Sequence, residues 1–147
     1  MTKFLLVVHV LAAIVAVGPV TVAASMFPPA ARRALAAPED VSATGALNLL
    51  HRVCRVYALV GVAVPVFGFA TAGEMGVLGN AWLIASIVLT ALAAVVLAAL
   101  VLPAQSALVE GRGTDTARLA MLTGVFNLLW AAVTVLMIVR PGSTTGA

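Results

Sequence analysis

Two histidines, one cysteine and a few hydroxyl and amide side chains are what this sequence offers for chemistry inside long apolar runs. His9 stands in a stretch without a formal charge from Phe4 to Ala31, bounded by Lys3 and Arg32–Arg33. An ionisable side chain at such a position is costly, and that makes it a functional candidate. Two kinds of chemistry suit it. As a neutral imidazole it would hydrogen-bond across a helix bundle, with Ser86 or Thr134 as partners of similar depth. As an axial ligand it would hold a haem b, with Met137 as second ligand and Lys3 and Arg140 facing the propionates. Copper fits less well, because Met1, Met26, Met75, Met121 and Met137 are scattered along the chain rather than clustered.

A second group gathers Asn48, His51, Arg52 and Arg55 at i, i+3, i+4 and i+7, on one face of a helix. His51, Arg52 and Arg55 read as a cytoplasmic cluster for an anion or for lipid headgroups, since guanidinium forks suit phosphates and carboxylates. Ser86, Thr90, Asn127 and Thr134 are expected to make interhelical polar contacts that fix register. The spans contain no carboxylate, so a proton or ion relay is not supported; Glu74 and Glu110 are terminal. No Ser/His/Asp set, paired carboxylate or phosphate-binding glycine loop appears, and no catalytic residues are assigned. Cys54 is the single cysteine, which excludes an intrachain disulfide and suits a packing role.

The elements that must position these groups follow from composition. Of 147 residues, 63% are hydrophobic and 9% charged, against about a quarter charged in soluble domains. The expectation is an all-α integral membrane protein, a four-helix antiparallel bundle in one membrane domain. Spans fall at about 4–27, 53–72, 81–102 and 117–139, with connections 28–52 and 103–116 and a disordered tail at 141–147. The first apolar stretch exceeds the 7–15 residues of a signal-peptide core and reads as retained. Pro28–Pro29 should end the first helix, because neither has an amide hydrogen. Pro38–Glu39–Asp40 reads as a turn, with Ser42 or Thr44 capping the next helix. Pro65, flanked by Gly61 and Gly68, predicts a kink in span two. Span three should carry on as helix towards Glu110 and stop at Gly111–Arg112–Gly113, with Thr114 or Asp115 capping the fourth.

Arg32, Arg33, Arg52, Arg55, Arg112 and Arg118 lie in or beside the first and third connections, against Lys3 and Arg140 on the other side. The positive-inside rule then gives an N-out/C-out, multi-pass protein of the bacterial cytoplasmic membrane. On that topology His9 and His51 lie about 20 Å apart along the membrane normal at the helical rise, too far to share one iron. The net charge of +3 is small and scattered, so no nucleic-acid partner is implied.

His9–Val10–Leu11–Ala12–Ala13 with Gly18–Pro19, and Leu50–His51–Arg52–Val53 running to Ala63–Val64–Pro65–Val66–Phe67–Gly68, are the telling local patterns. Together they resemble a family of bacterial four-span membrane proteins known only as a domain of unknown function. More distantly, a first-span histidine followed by small residues is similar to the copper-resistance D membrane domain and the four-helix protoporphyrinogen oxidase that binds haem b. The resemblance to that oxidase implies His9 as its first-span histidine and Arg55 as its second-span basic residue. The chain has Ala16–Val17–Gly18–Pro19 where those families have a Trp-Gly-Gly type segment, and Arg55 where they have lysine. Oxidase activity is therefore not carried over.

The resulting expectation is a non-catalytic packing or accessory subunit, self-associating or bound in a larger membrane complex, with lipid as its other partner. Small residues on span one and from Ala91–Leu92–Ala93–Ala94 through Leu97–Ala98–Ala99 favour close helix docking. A haem-b protein using His9 is the alternative.

Overall fold

The computed structural model describes residues 1–142 and is all-α, with no strand among the described residues. The expected tail at 141–147 lies outside them from residue 143 on; Pro141 and Gly142 form a turn. Six α-helices and one π-helical turn make four rods: α1 (Thr2–Ala36), α2 (Val41–Val60) with α3 (Ala63–Met75), α4 (Ala81–Val95) running through the π turn Val96–Val101 into α5 (Leu102–Val109), and α6 (Thr116–Val139). All four are long and apolar enough to cross a membrane, and this is a multi-pass membrane protein. Their outward faces are lipid-like: Ile14, Leu128 and Ile138 are each more than 60% exposed.

The first rod corrects one expectation. Helix α1 does not stop at Pro28–Pro29 but continues to Ala36. Prolines are tolerated in spanning helices where neighbouring elements and side chains meet the freed backbone groups. Here Ala30–Ala31–Arg32–Arg33–Ala34–Leu35–Ala36 follows, a run of the strongest helix formers, so the chain resumes its coil at once. The turn at Pro38–Glu39–Asp40 is present, and α2 starts earlier than expected, at Val41. Its cap is Asp40 and neither Ser42 nor Thr44: the Asp40 carboxylate accepts from the Ser42 amide at 2.9 Å and the Ala43 amide at 3.3 Å.

Two other prolines shape the rods. Pro65 cannot donate to the Gly61 carbonyl, which instead accepts from the Val64 amide at 3.1 Å. The rod's α-helical pattern is interrupted by a turn at Gly61–Val62, within the stretch where the kink is expected. Pro103 likewise leaves the Ala99 carbonyl without its α-helical donor. The turn before it widens: the Leu102 amide donates to the Leu97 carbonyl, five residues back. The rod ends at Gly111, whose φ of 73° suits glycine and lets the Arg112 amide reach the Ala107 carbonyl at 2.7 Å. Asp115 then caps α6 by accepting from the Arg118 amide at 2.9 Å.

The rods pack α1 against α2, α3 and α6, with α4 on α6 and α5 on α2. The largest apolar core joins Phe27 and Ala31 of α1 to Leu47, Leu97, Val101, Leu108, Leu119 and Phe126. It lies towards the arginine-bearing end. A smaller cluster of Ala72, Trp82 and Leu83, with Met137 against it, closes the end that holds the termini. In lipid such contacts stabilise through dispersion and close fit, because tails are as apolar as the side chains they replace. The small residues of α1 serve this purpose: Ala16, Ala23, Ala24 and Ala31 are all buried inside the chain.

Candidate functional site

At the terminal end, His9 is half-buried between α1 and α3, and its Nδ1 lies 2.8 Å from the Val64 carbonyl. A carbonyl can only accept, so Nδ1 carries a proton and donates. Gly68 makes the approach possible. A Cβ there would stand 2.9 Å from His9 Cε1 and 3.2 Å from Nδ1. The imidazole therefore does bond across the bundle, but to a backbone oxygen on α3 and not to Ser86 or Thr134. Both hydroxyls turn back onto their own helices: Ser86 donates to the Trp82 carbonyl at 2.8 Å and Thr134 to the Trp130 carbonyl at 3.0 Å. Serine and threonine inside apolar helices commonly satisfy themselves this way, since the i−4 carbonyl is always within reach. Thr90 is half-buried on α4.

Met137 packs into the cluster of Ala72, Trp82 and Leu83, which does not include His9. Arg140, with φ of 49°, folds over this cluster. Its guanidinium carbon stands 5.5 Å from the Trp82 ring centre, and its Nε donates to the Met137 carbonyl at 3.3 Å. The charge expected to face a propionate is thus engaged with an indole.

At the arginine-bearing end, His51 is buried and saturated. Its Nδ1 is 3.0 Å from Gln105 Oε1 and its Nε2 is 3.2 Å from Ser106 Oγ. The amide oxygen accepts, so Nδ1 donates, while Nε2 and the Ser106 hydroxyl share the second bond; both ring nitrogens have partners. The Gln105 amide nitrogen reaches Cys54 Sγ at 3.6 Å, and Phe27 meets the imidazole edge-on at 6.4 Å between centroids. One polar knot thus ties α1, α2 and α5 together. Val64, beside His9, lies 13 residues beyond His51 on the same rod, about 20 Å at the helical rise. The two imidazoles cannot share an iron.

Sequence reasoning did not single out Gln105 or Ser106. Their signal is visible in retrospect: Gln105 and Ser106 are the first pair of polar residues after the long apolar run of the third rod. What it does not show is their direction, because the π turn rotates everything after it.

The expected trio of His51, Arg52 and Arg55 is divided. His51 and Arg55 border an open cleft of about 490 Å³, whose walls also include Ser106, Glu110 and Arg112, while Arg52 is exposed and outside those walls. Glu110 and Arg112 form an exposed ion pair, with Nε to Oε2 at 2.7 Å. Midway along the rods, the Asn127 amide nitrogen donates to Ser25 Oγ at 3.0 Å at the bundle surface, joining α6 to α1. Thr123 Oγ1 and Asn127 Oδ1 are buried without a protein partner. Among the described residues no cluster of three or more His, Cys, Asp or Glu side chains could hold a metal ion. No protein-family model, curated protein or solved structure matches this chain.

Proposed function

We propose that this is a non-catalytic accessory protein of the bacterial cytoplasmic membrane, N-out and C-out, that associates with a second copy or with a larger membrane complex. The observation that supports it is on α4. Ala91 and Ala94 are exposed on its outward face, next to exposed Val88 and Val95, whereas Ala93 turns into the core. A small outward surface lets another helix approach closely enough for backbone-to-backbone contact, the main attraction available in lipid. On span one Ala16, Ala23, Ala24 and Ala31 are consumed within the chain. The test is mass determination of the purified protein in mild detergent and in lipid nanodiscs. A defined oligomer or stoichiometric complex is expected, dispersed by Ala94→Phe. A monodisperse monomer with no partner overturns the reading.

A second reading rests on one observation: the Nδ1–H of His9 is fixed by the Val64 carbonyl, which orients the ring and leaves Nε2 as a ligand nitrogen. In a haem-b protein His9 would supply one axial bond, with Met137 left in its own apolar cluster. The resemblance to haem-binding four-span families points the same way. A Soret band in purified protein, abolished by His9→Ala, is the expected result; a colourless protein that takes up no haem on reconstitution rejects it.

A further inference from the structure

The cleft at the arginine-bearing end has two unlike walls. At its mouth stand Arg55, Ser106 and the Glu110–Arg112 pair; away from it the wall is Ala98, Leu102 and Pro103. Glu110 is engaged by Arg112, so Arg55 has no carboxylate partner among the described residues. Arg55 also directly precedes the apolar run Val56 to Ala72, at the level where the rod enters hydrocarbon. An unpaired guanidinium there attracts an anion strongly, because screening by water falls away on one side.

The shape says which anion. Ala98 and Pro103 are five residues apart on one rod, so the apolar wall extends about 8 Å from the polar mouth towards the bilayer interior. A free inorganic ion would cover the last turn and leave the rest bare. An amphiphile covers both. We propose that this cleft binds the phosphate of an anionic phospholipid at Arg55, with an acyl chain lying along Ala98, Leu102 and Pro103. The proposal does not rest on self-association through α4.

The experiment uses the full chain, purified in detergent, stripped of lipid and examined by native mass spectrometry. The probes are phosphatidylglycerol, phosphatidylcholine and inorganic phosphate. Phosphatidylglycerol is expected to be retained in preference to phosphatidylcholine. Arg55→Gln should lower that retention about tenfold. Arg52→Gln removes an equal charge three residues away, outside the cleft, and should leave retention unchanged. Ala98→Trp fills the apolar wall without touching a charge, and should also lower phosphatidylglycerol retention; it decides the matter even if Arg55→Gln does not fold. Equal loss in Arg52→Gln and Arg55→Gln overturns the proposal in favour of diffuse attraction to a basic surface. Equal retention of phosphatidylcholine overturns it as well. So does binding of inorganic phosphate that competes fully with lipid while Ala98→Trp has no effect, which would make this a site for a free anion.

Discussion

The two histidines hold opposite ends of the bundle by different means. His9 spends one nitrogen on a main-chain carbonyl and lies close against a glycine, with no protein partner for its second nitrogen among the described residues. His51 spends both nitrogens on side chains of a single neighbouring rod. A backbone acceptor depends only on helix placement, and so the His9 contact tests how closely α1 and α3 approach. A side-chain pair depends on rotation as well, and so the His51 contact tests how α5 is turned. The difference teaches that an imidazole in a span need not announce chemistry; its second nitrogen decides whether chemistry remains available to it.

The comparison can be broken most sharply at Gly68. Gly68→Val places a side chain where His9 Cε1 now lies, at 2.9 Å for the first carbon alone. A loss towards the upper end of about 1–3 kcal/mol is expected on unfolding in mixed micelles. His9→Ala in the same chain should restore much of it, giving a large coupling in a double-mutant cycle. Additive losses would show that the two residues do not meet.

At the other end, Gln105→Leu strands the His51 Nδ1–H and should cost about 1–3 kcal/mol. The double variant His51→Leu/Gln105→Leu removes donor and acceptor together and should recover part of that. Recovery there, but none on adding His9→Ala, would establish that the two ends are independent. Asp40→Ala removes the cap of α2 and should cost about 1 kcal/mol, read as a lower melting temperature. The smallest effect is expected midway between the ends, where Asn127→Leu gives up its bond to Ser25, about 0.6 kcal/mol by the average for such contacts.

Much of the frame was legible because it follows from simple rules. Length and polarity alone place the four rods, and the absent amide hydrogen of Pro65 places the break at Gly61–Val62. Asp115 is one of two residues the sequence offers as a cap, whereas Asp40 is passed over for hydroxyls two and four residues further on. Pro28–Pro29 misled for an instructive reason. The same missing hydrogens that break a helix in water are tolerated beside packed neighbours and before an alanine-rich run. The sites were less legible. The partner of His9 is a carbonyl, and a backbone oxygen has no letter in a sequence. Gln105 has a letter, but its direction depends on a turn of the wrong period, which apolar residues such as Leu97 and Val101 do not advertise. Arg52 and Arg55 look equivalent on a wheel, yet only Arg55 borders the cleft once α5 is in place.

The widened turn at Val96–Val101 is in effect a one-residue surplus stored in the third rod. Shortening that turn by a residue would let an ordinary coil form, and everything downstream would swing by about 100°, the angle each residue subtends. Gln105 and Ser106 would then sweep past His51, and the wall facing Arg55 would be built from other side chains. The arrangement of the arginine-bearing end is thus keyed to a count of backbone units more than to the identity of any of them. Substitutions at its exposed positions Ala99 and Leu100 should be forgiven where a single deletion is not.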